Sequence, residues 1–381
     1  MDFKYLEKFI DGLFENGFSG SDCAVSYKGD IVFRHFAGYR DVENKKPVTG
    51  DELYFLYSAS KVITITAAMM LYERGAFLLD DEVSEYIPEF KNMNIKRFER
   101  NGCFTLTPAK KPIRIHDLFT MSAGLTYDLN SPSIQAVREK TNGKCPTVET
   151  VKAIANEPLL FEPGERFNYS LCHDVIGALV EVLSGMKFGD FLKENIFEPL
   201  NMTRTGFDVN DDILDKMACQ YQWENWETRR LVQIPKKNEF ILGTEYQSGG
   251  AGLISCVDDY IKFSECLANG GNTKSGKNII SQATIDLIRQ DHLNDVSRED
   301  FHKSSLADYS YGLGVRTMVD KARSSSNSPI GEFGWDGAAA AYTLIDPKNN
   351  LAIYYGTHVR NANGGWAHKR IRNIVYAALE K

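Results

Sequence analysis

A chain of 381 residues, 43% of them hydrophobic, is long enough to bury a substantial core and to fold as more than one structural lobe. Its 51 acidic and 44 basic residues give a formal charge of -7 and are spread through the sequence, a balance that argues against nucleic acid and anionic membrane surfaces as partners. Seven cysteines at 23, 103, 145, 172, 219, 256 and 266, with no C-x-x-C pair, read as reduced thiols of a cytoplasmic protein and offer no metal-site spacing.

The opening segment MDFKYLEKFIDGLFENG sets Phe3, Leu6, Phe9, Ile10, Leu13 and Phe14 near helical spacing between charges, which predicts an amphipathic helix and lacks the unbroken apolar core of a signal peptide. No later run reaches the length of a membrane span. Residues 22–41 predict two strands joined at Lys28, Gly29 and Asp30. From about 62 to 300, segments such as VIGALVEVLSG and VDDYIKFSECLANGG show helical periodicity and stop at glycine. The polar stretches 127–148 and 320–330 carry no period and predict mobile loops. Near the C-terminus, AAAAYTLIDPKNNLAIYYGTHV predicts a strand, a turn around Asp346 to Asn350 and a second strand, before a closing helix from about Trp366 to Leu379. Both ends thus supply a helix and antiparallel strands. The expected fold class is α+β: one antiparallel sheet with two terminal helices, built from about 1–60 and 305–381, a mostly helical lobe at about 61–304, and the active site between them.

The stretch FLYSASKVITITAAMMLYERG, residues 55–75, joins Ser58 and Lys61 to an almost entirely apolar helix. Three residues apart in a first helical turn, the two side chains share a face. The helix start leaves backbone N–H groups unpaired and carries partial positive charge, which suits a nucleophile and an oxyanion. An amine at the mouth of a buried helix is partly desolvated, and burial pulls a lysine pKa from its reference of about 10.4 toward neutrality. The bland alternative is a capping serine beside a solvated lysine. The pattern occurs a second time, at Ser184 and Lys187 around Gly185, where a helix ends.

Other segments accompany the first copy in a fixed order: PIRIHDLFTMSAGL, PGERFNYSLCHDVIGALVEVLSG, FGDFLKENIFEPLNMTRTGF, SGGAGLISCVDDYIKFSECLANGG, YGLGV and FGWDGAAAAYTLIDP. Together they resemble the serine β-lactamase and penicillin-binding protein superfamily from about residue 20 onward. The resemblance implies catalytic roles for Ser58, Lys61 and Tyr169, with an oxyanion hole formed by the backbone N–H groups of Ser58 and Ala338. One such donor is worth about 2.7–4 kcal/mol in a transition state. Where class C β-lactamases carry Tyr-x-Asn and Lys-Thr-Gly, this chain reads Tyr169-Ser170-Leu171 and Trp335-Asp336-Gly337. The Lys274-Ser275-Gly276 triplet lies in a polar loop without an adequate strand before it.

In that family the Lys-Thr pair helps bind a substrate carboxylate, and an indole with an acid in its place opposes a negative charge. The substitutions resemble those of family VIII carboxylesterases, so a small neutral ester or amide is the expected partner, with Leu171, Trp335, Asp336 and Gly337 contacting it. A β-lactamase or D-amino-acid peptidase, and a non-catalytic binding protein that kept the fold, are the competing readings. The resemblance implies no cofactor and no metal, gives His116 and His173 structural roles, and leaves the oligomeric state open. No G-x-S-x-G elbow occurs, which argues against an α/β-hydrolase.

Overall fold

The hairpin expected near the N-terminus forms because Lys28 and Gly29 both take positive φ, 53° and 88°, which matches a two-residue turn to the twist of its strands. Those strands, Gly20–Tyr27 and Asp30–Asp41, are inner members of an eight-stranded sheet. In spatial order it runs Tyr309–Tyr311, Arg316–Met318, Phe333–Asp336, Tyr342–Asp346, Leu351–Gly356, Gly20–Tyr27, Asp30–Asp41, Lys46–Pro47, with antiparallel neighbours throughout. The chain ends meet where Gly20–Tyr27 pairs with Leu351–Gly356, with Cys23 opposite Tyr355 and Val25 opposite Ile353. This computed structural model describes residues 1–99, 102–304, 308–324 and 326–380.

Side-chain alternation divides the core. Cys23, Val25, Leu351, Ile353 and Tyr355 pack with Leu6, Ile10, Ile371 and Val375 of the terminal helices, Lys4–Asp11 and Gly364–Leu379. Ala24, Ala352 and Tyr354 face the other way, into a larger core shared with the helical lobe. Each fully buried leucine, isoleucine or phenylalanine contributes about 1.5–3 kcal/mol relative to exposure. At the centre of that core lies the helix Ser60–Glu73, buried at every position from Ser60 to Leu71 and packed on the helix Cys172–Ser184. It is apolar all round because it is surrounded all round. No helix among the described residues is long and apolar enough to cross a membrane.

Three expectations need correction. The N-terminal helix covers only Lys4–Asp11, followed by a separate 3-10 turn at Phe14–Asn16. The 127–148 stretch contains a helix, Pro132–Lys140, opened by proline in its first turn and anchored by buried Ile134 and Val137. Two apolar anchors are too few to produce a visible period. Within 320–330, Lys321–Ser324 forms a short helix, while residue 325 lies outside the described residues. The lobe boundary expected near 305 also lies outside them.

Candidate active site

A short ladder, Tyr54–Phe55 against Ile254–Ser255, delivers the chain to a single 3-10 turn, Tyr57–Ala59, which runs into the central helix at Ser60. Ser58 therefore stands just ahead of that helix, not within its first turn as the spacing implies. Tyr57 takes φ 48°, a left-handed conformation that a bulky residue adopts only under constraint. The constraint is visible: its buried hydroxyl donates to Gln220 Oε1, while Arg360 Nη1 donates to that hydroxyl at 3.4 Å and the guanidinium carbon, Cζ, lies 4.8 Å from the ring centre. Such strain costs about 1–3 kcal/mol and persists only where the surroundings over-determine it. It leaves Ser58 half-exposed directly above buried Lys61.

Lys61 Nζ donates to Ser58 Oγ at 3.2 Å and to the Gly250 carbonyl at 2.7 Å. The second contact requires glycine, because a Cβ at 250 would lie 2.5 Å from Asp174 Oδ2. Burial pulls the Lys61 amine down to about 7, against the opposing pull of Asp174, Cys172 and Asp336. Burial likewise raises the acid of Asp174, whose Oδ1 accepts hydrogen bonds from Ser248 Oγ at 2.6 Å and Tyr246 OH at 3.0 Å. His173 is fully buried and held well below the usual histidine range by desolvation and by Lys61.

Tyr169 completes the group. The Lys61 ammonium lies 4.6 Å from its ring centre, and Trp335 Nε1 donates to its hydroxyl at 3.1 Å. Burial pushes the phenol up, and hydrogen bonds with Ser58 and Trp335 only partly oppose this. The phenol therefore stays protonated while the amine approaches neutrality. Two aromatic rings, Tyr127 and Trp335, each stack with Tyr169 at 5.8 Å, and Tyr311 stands edge-on to Trp335 at 5.1 Å.

The third segment arrives on the strand Phe333–Asp336 and turns over Gly337–Ala340, where Ala340 N donates to the Gly337 carbonyl at 2.8 Å. Gly337 packs so closely that a Cβ would fall 2.4 Å from the Leu56 carbonyl. This brings the turn against the segment that carries Ser58. Ala338 is exposed, and Asp336 and Gly337 are half-buried. Leu171 caps the helix Cys172–Ser184 and is buried in the main core. His116 lies away from this group, bonded ring to ring with His292 at 3.2 Å.

Ser58 and Lys61, Tyr169, and Trp335 thus come together from three separate segments. Sequence reading missed Tyr127, Asp174, Gly250 and Tyr57. Tyr127 opens the stretch expected to be a mobile loop, and nothing in its spacing marks it. A groove of about 580 Å³ opens beside Tyr169, lined among others by Arg97, Leu160, Asn168 and Asp300. A larger cavity of about 700 Å³, between residues 143–147, 207–210 and 236–247, does not include Ser58.

A family model described as Beta-lactamase matches residues 6–377. Among curated proteins, Protein Rv1367c of Mycobacterium tuberculosis is 29% identical over 88% of this chain and 85% of its own length. Esterase EstB of Burkholderia gladioli is 26% identical over 97% of this chain and 93% of its own. Among solved structures, simvastatin synthase (LovD) from Aspergillus terreus superposes with a TM-score of 0.83 at 23% identity, covering 99% of this chain and 98% of that one.

Proposed function

This chain belongs to the Beta-lactamase family, among serine-hydrolase-type enzymes, and on that premise we propose that it is a carboxylesterase acting on small neutral esters. One observation carries the reading: a buried amine with its pKa lowered to about 7 lies 3.2 Å from the Ser58 hydroxyl. A serine hydroxyl is a weak nucleophile until a neighbouring base takes its proton. Lys61 in its uncharged form is that base. Ser58 Oγ bonds to the acyl carbon, the ester C–O bond breaks, and the proton held by Lys61 returns through the Tyr169 hydroxyl to the departing alkoxide. Water then attacks the acyl-enzyme by the same relay in reverse, releasing the acid and restoring Ser58.

The backbone N–H groups of Ser58 and Ala338 hold the oxyanion in this scheme. Trp335 orients the Tyr169 hydroxyl, and Asp336 disfavours substrates bearing a carboxylate nearby. Esterase EstB, similar over nearly the whole chain, supports the ester preference, and a cytoplasmic setting belongs to the same proposal. The test is turnover of short-chain p-nitrophenyl esters, paired with intact-mass detection of a fluorophosphonate adduct. Ester hydrolysis lost in Ser58→Ala, with the adduct mapped to Ser58, is the expected result. Nitrocefin hydrolysis far faster than ester hydrolysis overturns the substrate class, and an inert Ser58 overturns the mechanism.

A further inference from the structure

Residues 91–114 hold seven basic side chains and a single acid, in a chain whose formal charge is -7. The whole-chain balance that argues against a membrane surface conceals this local concentration. The segment folds as an antiparallel hairpin, Asn94–Phe98 against Phe104–Pro108, with Lys96 opposite Leu106 and Phe98 opposite Phe104. Those four side chains share one face. Ile95, on the other face, is buried; Phe98, Phe104 and Leu106 are 67%, 50% and 52% exposed.

The Lys96 ammonium lies 4.2 Å from the Phe104 ring centre and 5.1 Å from that of Phe98. Lys110 and Lys111 follow the hairpin and are exposed. Of the neighbouring acids, Glu162 faces Arg97 at 3.6 Å, and Glu165 faces Lys111 at 3.8 Å across an exposed, salt-screened gap. Among the described residues no acid pairs with the side chain of Lys96 or Lys110. Adjacent exposed rings on a locally basic segment are unfavourable against water and favourable where apolar surface and anionic phosphate meet. Arg97 of the hairpin lines the groove beside Tyr169, so the groove adjoins this hairpin.

We propose that the 94–108 hairpin seats the protein on an anionic phospholipid surface. Phe98, Phe104 and Leu106 enter the headgroup boundary, Lys96, Lys110 and Lys111 stand at the level of the phosphates, and an amphiphilic ester passes from that surface into the groove toward Tyr169. A protein seated on the same patch would crowd the groove that Arg97 lines, whereas a fluid surface binds the rings and supplies the ester. The substrate side of the proposal rests on the esterase reading; the seating does not.

The experiment is co-sedimentation of the full chain with vesicles of mixed phosphatidylglycerol and phosphatidylcholine, and with phosphatidylcholine alone, at low and raised salt. Salt-sensitive binding to the anionic vesicles is expected. It drops about tenfold or more in Phe98→Ser/Phe104→Ser and in Lys110→Glu/Lys111→Glu. Both variants turn over a soluble p-nitrophenyl ester at the wild-type rate, which shows that they fold. No binding to anionic vesicles at low salt overturns the proposal, as does binding that the phenylalanine variant leaves intact. Lipid-free self-association abolished by that variant also overturns it, making the patch an interface between copies. Vesicle binding without turnover of any ester sinks the esterase reading and leaves the seating in place.

Discussion

The Ser-x-x-Lys pattern occurs twice in this chain, and the two copies share nothing else. Ser58 and Lys61 stand where a strained turn enters a buried helix, and the amine donates to the hydroxyl at 3.2 Å. Ser184 and Lys187 stand where a helix leaves the core: Gly185 takes φ 70°, Ser184 Oγ accepts from Met186 N at 3.2 Å, and Lys187 is exposed. In the second copy the left-handed glycine turns the chain, so the two residues no longer lie on one helical face. Burial is the deeper difference. Desolvation makes the Lys61 amine a base near neutrality, and a solvated lysine gains nothing from a serine nearby.

That contrast is open to direct attack. Ser58→Ala is expected to lower kcat by about ten-thousand-fold or more, since a triad-type nucleophile has no substitute; loss of similar size in Ser184→Ala would erase the distinction. Lys61→Met is expected to cost about a thousandfold and also to remove the pH dependence. If Lys61 is the base proposed, only its uncharged amine accepts the Ser58 proton, so wild-type kcat/KM is expected to rise with pH through about 7 and then level; a profile with that limb intact in the variant assigns the base elsewhere.

The same substitution sharpens the burial argument through stability. The folded pKa of Lys61 lies below its unfolded value, so the native state bears the full desolvation cost below about 7 and sheds it as pH rises toward the unfolded value. Lys61→Met is therefore expected to raise Tm, by about 2 °C or more in slightly acid buffer and by less in alkaline buffer. Calorimetry at the two pH values reads the difference. Trp335→Phe keeps the ring stack on Tyr169 and deletes one donor. A loss of about 1 kcal/mol in transition-state binding, roughly five- to tenfold in kcat with KM little changed, is expected. Smallest of all, Lys187→Ala is expected to leave kcat, KM and the pH profile where they are.

Much of this arrangement is legible in the sequence because it is local. The Lys28-Gly29 turn, the period-two strands at both ends and the glycine-terminated helices each carry their own signal. Ser58, Lys61 and Tyr169 come from ordered segments that no single spacing would have assembled. What escaped notice depends on tertiary contact. Tyr127 becomes part of the site only because its ring stacks on Tyr169, and Gly250 only because its carbonyl meets Lys61. The helix Pro132–Lys140 escaped because Ile134 and Val137 alone face the core. The relation of Tyr169 to Lys61 likewise depends on tertiary contact. The amine sits over the ring face, and the phenol keeps its proton.

The pairing of Gly20–Tyr27 with Leu351–Gly356 has a consequence for the life of the protein. The strand Gly20–Tyr27 must wait for Leu351–Gly356 to be made, and Arg360, which donates to the Tyr57 hydroxyl next to Ser58, emerges later still. Contacts so distant along the chain close slowly. A chain cut short before residue 351 therefore lacks the partner on which Gly20–Tyr27 closes, and the turn at Tyr57 lacks Arg360.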